Sequence, residues 1–153
     1  MSLKRTTPLP LLGNQKIMDT IIEEKLHKIG MDGVKYAIEH HVFKNRTYNL
    51  QDSYGYAIYR NGAMVGDPVI LDKKATVAIK GMYGYDECVK KLNEFKPESS
   101  AWTLVVMAGM YYASYVEEYY GLDVLENSYM HAQERANGEF KNINWSSYFK
   151  GYK

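Results

Sequence analysis

The hydrophobic period of this chain switches from helical to strand-like within roughly a dozen residues, and that switch limits its fold more than composition does. From Ile17 onward Met18, Ile22, Leu26, Ile29, Val34, Ala37, Ile38 and His41 recur at helical spacing, leaving Glu23, Glu24, Lys25 and Lys28 for the wet face. Asn14 is placed to cap this helix. Gly30 and Gly33 each weaken its middle by roughly 1 kcal/mol relative to alanine, which predicts a kink or a break there. Tyr54 to Tyr59 then alternates bulky and small residues, and Asn61-Gly62 follows as a type I′ turn signal, so a β-hairpin is expected. Asp67-Pro68 should interrupt its second arm, with Val69 to Leu71 and Ala75 to Ile79 reading as further short strand pieces.

Beyond the hairpin, Tyr85, Cys88, Val89, Leu92 and Phe95 form a helical stripe that stops before Pro97. Trp102 to Ala108 is an apolar run centred on Val105 and Val106, which reads as a central strand. A last helix is expected over about Asp123 to Ala136, with Leu125, Tyr129, Ala132 and Ala136 on one face and Gly138 near its stop. The order helix, hairpin, helix, strand, helix is not a βαβ alternation, so the fold class is α+β: a small antiparallel sheet with a long N-terminal helix and a C-terminal helix packed against one face. Pro8 and Pro10 mark residues 1–13 as an extended arm, residues 14–137 form a single domain, and residues 138–153 are an aromatic C-terminal tail.

Nineteen Lys and Arg against eighteen Asp and Glu give a formal charge of +1, which disfavours specific or general nucleic-acid binding. The single cysteine, Cys88, cannot form an intrachain disulfide, and Pro8 and Pro10 interrupt any secretory core near the start. No apolar run is long enough to span a membrane, so a soluble protein made in the cytoplasm is expected. Fifteen tyrosines against four phenylalanines favour rings that sit half buried with a wet hydroxyl, a surface suited to partners.

The residues that could carry catalysis do not share a motif. His40 and His41 are neighbours, which on a helix point about 100° apart and do not converge on one metal. Cys88 lies on a buried stripe without a histidine at nucleophile spacing, and Asp86-Glu87 and Glu117-Glu118 are paired only in sequence. The glycines match no phosphate-loop spacing.

Three stretches, in order, resemble the head-tail joining, or tail-completion, family of long-tailed bacteriophages. That family follows a long N-terminal helix with Thr-Gly-x-Leu-x-x-Ser; here Thr47, Leu50 and Ser53 are kept and Tyr48 stands where the glycine would be. It then has a strand leading into Tyr-Ala-x-x-Val-Glu, matched by Trp102 to Met110 followed by Tyr112, Ala113, Val116 and Glu117, although the glycine that usually follows the Glu closely is delayed to Gly121. Leu122-Asp123-Val124-Leu125 opens the last helix as the family's closing segment does.

The resemblance implies a virion structural protein, made in the bacterial host, that forms a homo-oligomeric ring, in many relatives a hexamer, between the phage head connector and the tail-tube proteins. It implies no reaction and no cofactor. On this reading Thr47, Leu50, Ser53, Tyr112, Ala113, Val116 and Glu117 are fold markers, and Phe140, Trp145, Tyr148, Phe149 and Tyr152 in the tail are candidate docking anchors. A host or mobile-element protein-binding module is the alternative class, and an enzyme with an unfamiliar site a third. Because the His, Cys and acidic residues lack ligand spacing, purified protein should retain no stoichiometric zinc or manganese after dialysis; elemental analysis finding about one metal per chain would contradict this.

Overall fold

The computed structural model describes residues 9–41, 44–120 and 124–144, with no account of side chains at 9–14 and 120. The element order is α1 (Leu9–His40), α2 (Asn49–Asp52), β1 (Tyr54–Arg60), β2 (Ala63–Ile70), α3 (Gly84–Glu94), β3 (Thr103–Ala108), α4 (Ala113–Tyr120) and α5 (Val124–Lys141). The strands form one antiparallel sheet in the order β2-β1-β3, so the fold is α+β with the long first helix and the last helix packed together against it.

The central strand is β1, and every residue from Tyr54 to Tyr59 is buried. The Trp102 to Ala108 run forms the edge strand β3 instead of the centre, half-buried along its length. Its register on β1 is continuous, with Tyr56 opposite Val106 and Ile58 opposite Leu104. On the other side Asn61 (φ 53°) and Gly62 (φ 77°) turn the hairpin with positive φ at both positions, as a type I′ turn requires. Asp67-Pro68 does not end β2. The register shifts between Tyr56 and Ile58, Gly66 takes φ 71°, and an edge strand tolerates a proline that lacks a donor.

Period-two burial sends the two sides of β1 to different helices. Tyr54, Tyr56 and Ile58, with Leu104 and Val106 of β3, meet α1 and α5. Ala57 and Tyr59, with Val105 and Met107, meet Cys88, Leu92 and Phe95 on and beside α3. Helices therefore cover both faces of the sheet, not one, because β1 carries buried apolar or aromatic side chains on both sides, Tyr54, Tyr56 and Ile58 on one and Ala57 and Tyr59 on the other, and neither face can be left to water.

Two boundaries differ from the sequence reading. The first helix begins at Leu9, inside the stretch expected to be an extended arm; Pro10 lies in the first turn, where no backbone N–H is needed. Residues 1–8 lie outside the described residues. The last helix runs through Gly138 to Lys141, so Phe140, assigned to a tail, is a helical residue packed beside Leu26, Ile29, Ile58 and Ala132. On that helix Val124, Ser128 and Ala132 are the buried positions, and Tyr129 is 63% exposed instead of covering the sheet.

The first helix also passes unbroken through Gly30 and Gly33. At Gly30 the reason is contact: a Cβ there would lie 2.5 Å from the ring of Tyr56, so the missing side chain lets the helix lie against the strand. At Gly33 the carbonyl accepts a 2.7 Å hydrogen bond from Ser128 Oγ, joining α1 to α5. Ion pairs reinforce that joint: Arg135 to Asp32 at 2.9 Å and Lys25 to Glu139 at 2.5 Å. An ordinary helix would gain about 1 kcal/mol from glycine to alanine. Here Gly30→Ala should instead destabilise by about 1–3 kcal/mol through overpacking against Tyr56, a sign that denaturant unfolding reads directly.

Candidate interaction surface

The two motif stretches, far apart in sequence, meet at one end of the sheet. Leu50 of α2 forms a buried cluster with Met110 and Ala113, against which Tyr112 and Val116 pack. Tyr112 shares a side-chain hydrogen bond with Thr47, and the Ser53 carbonyl accepts a 2.8 Å bond from the Gly109 amide. Glu117 Oε1 accepts the Leu125 amide at 3.2 Å, so its carboxylate serves the open first turn of α5. All of the residues singled out in these stretches thus pack or bond within the chain. Gly121, Leu122 and Asp123 lie outside the described residues.

Tyr48, standing where the family pattern has glycine, adopts φ 61° and ψ −2° immediately before α2. That left-handed backbone costs an L-residue roughly 1–2 kcal/mol and costs glycine nothing. The ring of Tyr48 is exposed, so no buried contact offsets the strain.

After Tyr48 comes a run of buried polar side chains whose bonds hold the segment between β2 and α3. Asn49 Nδ2 donates to the Val77 carbonyl at 2.7 Å and Asn49 Oδ1 accepts the Gly84 amide at 2.9 Å. Gln51 Nε2 donates to Asp72 Oδ2 at 2.5 Å, and Asp52 Oδ2 accepts the Lys74 and Ala75 amides at 2.7 and 2.6 Å. Ala75 to Ile79 is accordingly not a strand; only an isolated bridge joins Ile79 to Met82. Side chains of α2 have taken the place of a strand partner. The clue in the sequence was Asn49, Gln51 and Asp52 clustered beside an apolar run, a composition that buries only with partners.

The groups considered for chemistry sit apart from this junction or inside it. Burial pushes the Cys88 thiol up to about 12, far from a reactive thiolate. His40 stacks on Tyr36 at 3.9 Å, and His131 stacks on the same ring at 4.7 Å. Burial, with the Glu117 charge adding to it, raises the Tyr54 phenol well above its usual range. Among the described residues no three His, Cys, Asp or Glu side chains gather as metal ligands, and no helix is long and apolar enough to cross a membrane.

What faces solvent at the junction is aromatic. Tyr111, Tyr115 and Tyr119 are spaced to share one side of the α4 segment, the last two 62% and 68% exposed and stacked on each other at 5.6 Å. Lys80 Nζ stands 5.0 Å from the Tyr111 ring, extending the patch onto the segment held by α2. Sequence reasoning placed docking in the tail and missed this row; the signal available was the tyrosine excess itself. Trp145, Tyr148, Phe149 and Tyr152 lie outside the described residues, and Phe140 packs within its own domain. No family model, curated protein or solved structure matches the chain.

Replacing Tyr48 by glycine should relieve the left-handed strain while adding unfolded-state entropy. The net expectation is a gain of roughly 0.5–1 kcal/mol, read as a higher denaturation midpoint at unchanged slope.

Proposed function

We propose that the chain is a bacteriophage tail-completion or head-tail joining component, a virion structural protein whose copies form a ring between the head connector and the tail tube. Its work on this reading is assembly, not catalysis. The observation that carries the reading is the backbone at Tyr48: where the motif's glycine is replaced, the chain keeps a conformation that glycine favours. The packing of Leu50 on Ala113, Tyr112 and Val116 supports it further, since residues marked as fold determinants in two separate stretches serve one junction.

The α4 tyrosine row supplies a contact surface of the right kind, because rigid rings with a polar tip are favoured anchors between proteins. A second reading, a module that binds one host or mobile-element protein, is favoured by the outer edge of β3, which has no strand partner among the described residues.

Sedimentation across a concentration series, with negative-stain imaging of the associated species, tests the ring. The expected product is a closed, uniform oligomer, formed alone or with connector and tail-tube proteins. Tyr115→Ser with Tyr119→Ser should leave the melting temperature nearly unchanged and weaken association; a single anchor lost at a hot spot costs about 2 kcal/mol, roughly thirtyfold in affinity. A chain that stays monomeric with and without those proteins sinks the ring, and a discrete one-to-one host complex favours the second reading.

A further inference from the structure

A pocket of about 270 Å³ opens between the segment held by α2 and the start of α3. Asp52, 1% exposed, lies at its floor, Ala75 and Tyr85 are half-buried walls, and Lys73, Tyr83 and Asp86 stand exposed at the mouth. Oδ2 of Asp52 accepts the Lys74 and Ala75 amides, but Oδ1, equally buried, has no hydrogen-bond partner among the described residues. A buried carboxylate with an idle oxygen is costly, and this one lines a cavity instead of packed core.

The charges around the cavity are not neutralised from within. Lys73 Nζ sits 4.5 Å from the centre of the Tyr85 ring, and among the described residues neither Lys73 nor Asp86 joins an ion pair. Two carboxylates against one ammonium leave the lining negative, and Glu87 beside Asp86 in the first turn of α3 offsets the positive end of that helix. An anion is therefore repelled, and a neutral donor would answer the hydrogen bond but not the charge. A hard divalent metal takes about six or more oxygen ligands, whereas no third His, Cys, Asp or Glu joins the two carboxylates among the described residues. The volume lies under the roughly 300–1,000 Å³ of sites for drug-sized ligands, so it suits a single side chain.

We infer that this pocket takes the guanidinium of an arginine side chain presented by a partner protein. One N–H donates to Asp52 Oδ1 at the floor, another faces Asp86 at the mouth, and Tyr83 offers a ring on which the flat cation stacks. Arginine fits better than lysine because its planar fork holds several donors in fixed directions and is more weakly hydrated, which eases its approach to a buried oxygen. The tight turn from Ile79 to Met82 carries Lys80 toward Tyr111 and leads directly into Tyr83. The pocket is thus next to the α4 tyrosine row, and one partner can engage both. The inference does not rest on the ring, since a neighbouring virion subunit and a host protein could each supply the arginine.

Titrating the isotopically labelled full chain with Nα-acetyl-arginine methylamide tests the assignment by amide chemical shifts. Saturable shifts are expected at Lys74, Ala75 and residues 83–86, with a Kd of about 1 mM, a weak affinity suited to one side chain alone. The citrulline derivative, of the same shape without the charge, should bind at least roughly tenfold more weakly. Asp86→Asn should weaken arginine binding roughly two- to fivefold, as loss of an exposed ion pair does, and Lys73→Ala should tighten it by removing a like charge. Both substitutions are at the surface and should leave the melting temperature nearly unchanged. The absence of a saturable shift at tens of millimolar overturns the inference, as does equal binding of the citrulline derivative. Tighter binding of the corresponding lysine derivative overturns the choice of guanidinium, and weaker binding by Lys73→Ala overturns the cationic ligand itself.

Discussion

Burying both sides of β1 sets the terms for everything around it. Three of its residues are tyrosines, at positions 54, 56 and 59, and each brings a hydroxyl into an interior where an unpaired polar group costs free energy. Tyr56 meets His27 Nδ1 at 3.1 Å and Tyr59 donates to the Leu92 carbonyl at 2.5 Å, so the hydroxyl partners come from α1 on one face and α3 on the other. Tyr54, whose hydroxyl has no hydrogen-bond partner among the described residues, lies in the cluster with Val34, Ala37 and Val124. Those bonds fix where the helices stand along the strand, a constraint that apolar packing alone would leave loose.

The same strand explains why glycine sits in the middle of α1. A helix carrying a side chain at position 30 would be held away from Tyr56, and its neighbours Ile29 and Val34 would lose part of their burial. The propensity cost at Gly30, roughly 1 kcal/mol, is small beside the apolar contact of several large side chains, each contributing about 1.5–3 kcal/mol when fully buried. Between β2 and α3 the balance is struck differently. No ladder holds residues 72–80, and the amide and carboxylate groups of Asn49, Gln51 and Asp52 replace it, which makes the four-residue α2 a structural hub despite its size.

The elements with strong periodicity were legible in the sequence: the long first helix, the Asn61-Gly62 hairpin, the Cys88 and Leu92 stripe, and the apolar run that became β3. The errors share a cause, which is that local signals were overruled by long-range contact. Gly30 reads as a breaker until Tyr56 is placed against it. Pro68 reads as a strand end until β2 proves to be an edge, and Gly138 reads as a stop although none of the described residues crowds the helix at that position. Ala75 to Ile79 has strand composition, but side chains of α2 bind its Ala75 amide and its Val77 carbonyl. The junction of the two motif stretches followed from no periodicity, since nothing local says that Leu50 and Ala113 will touch.

One property of α1 bears on the shape of the particle. The helix runs antiparallel to β1, and Asp19 meets Arg60 at the strand's last residue. Residues 9–18, roughly 15 Å of helix, therefore overhang the sheet. That extension makes α1 longer than the strand it packs on. It also acts as a cantilever: a load applied near Leu9 is carried through the Asp19–Arg60 pair and the Gly30–Tyr56 contact into the centre of the sheet, not into a loop.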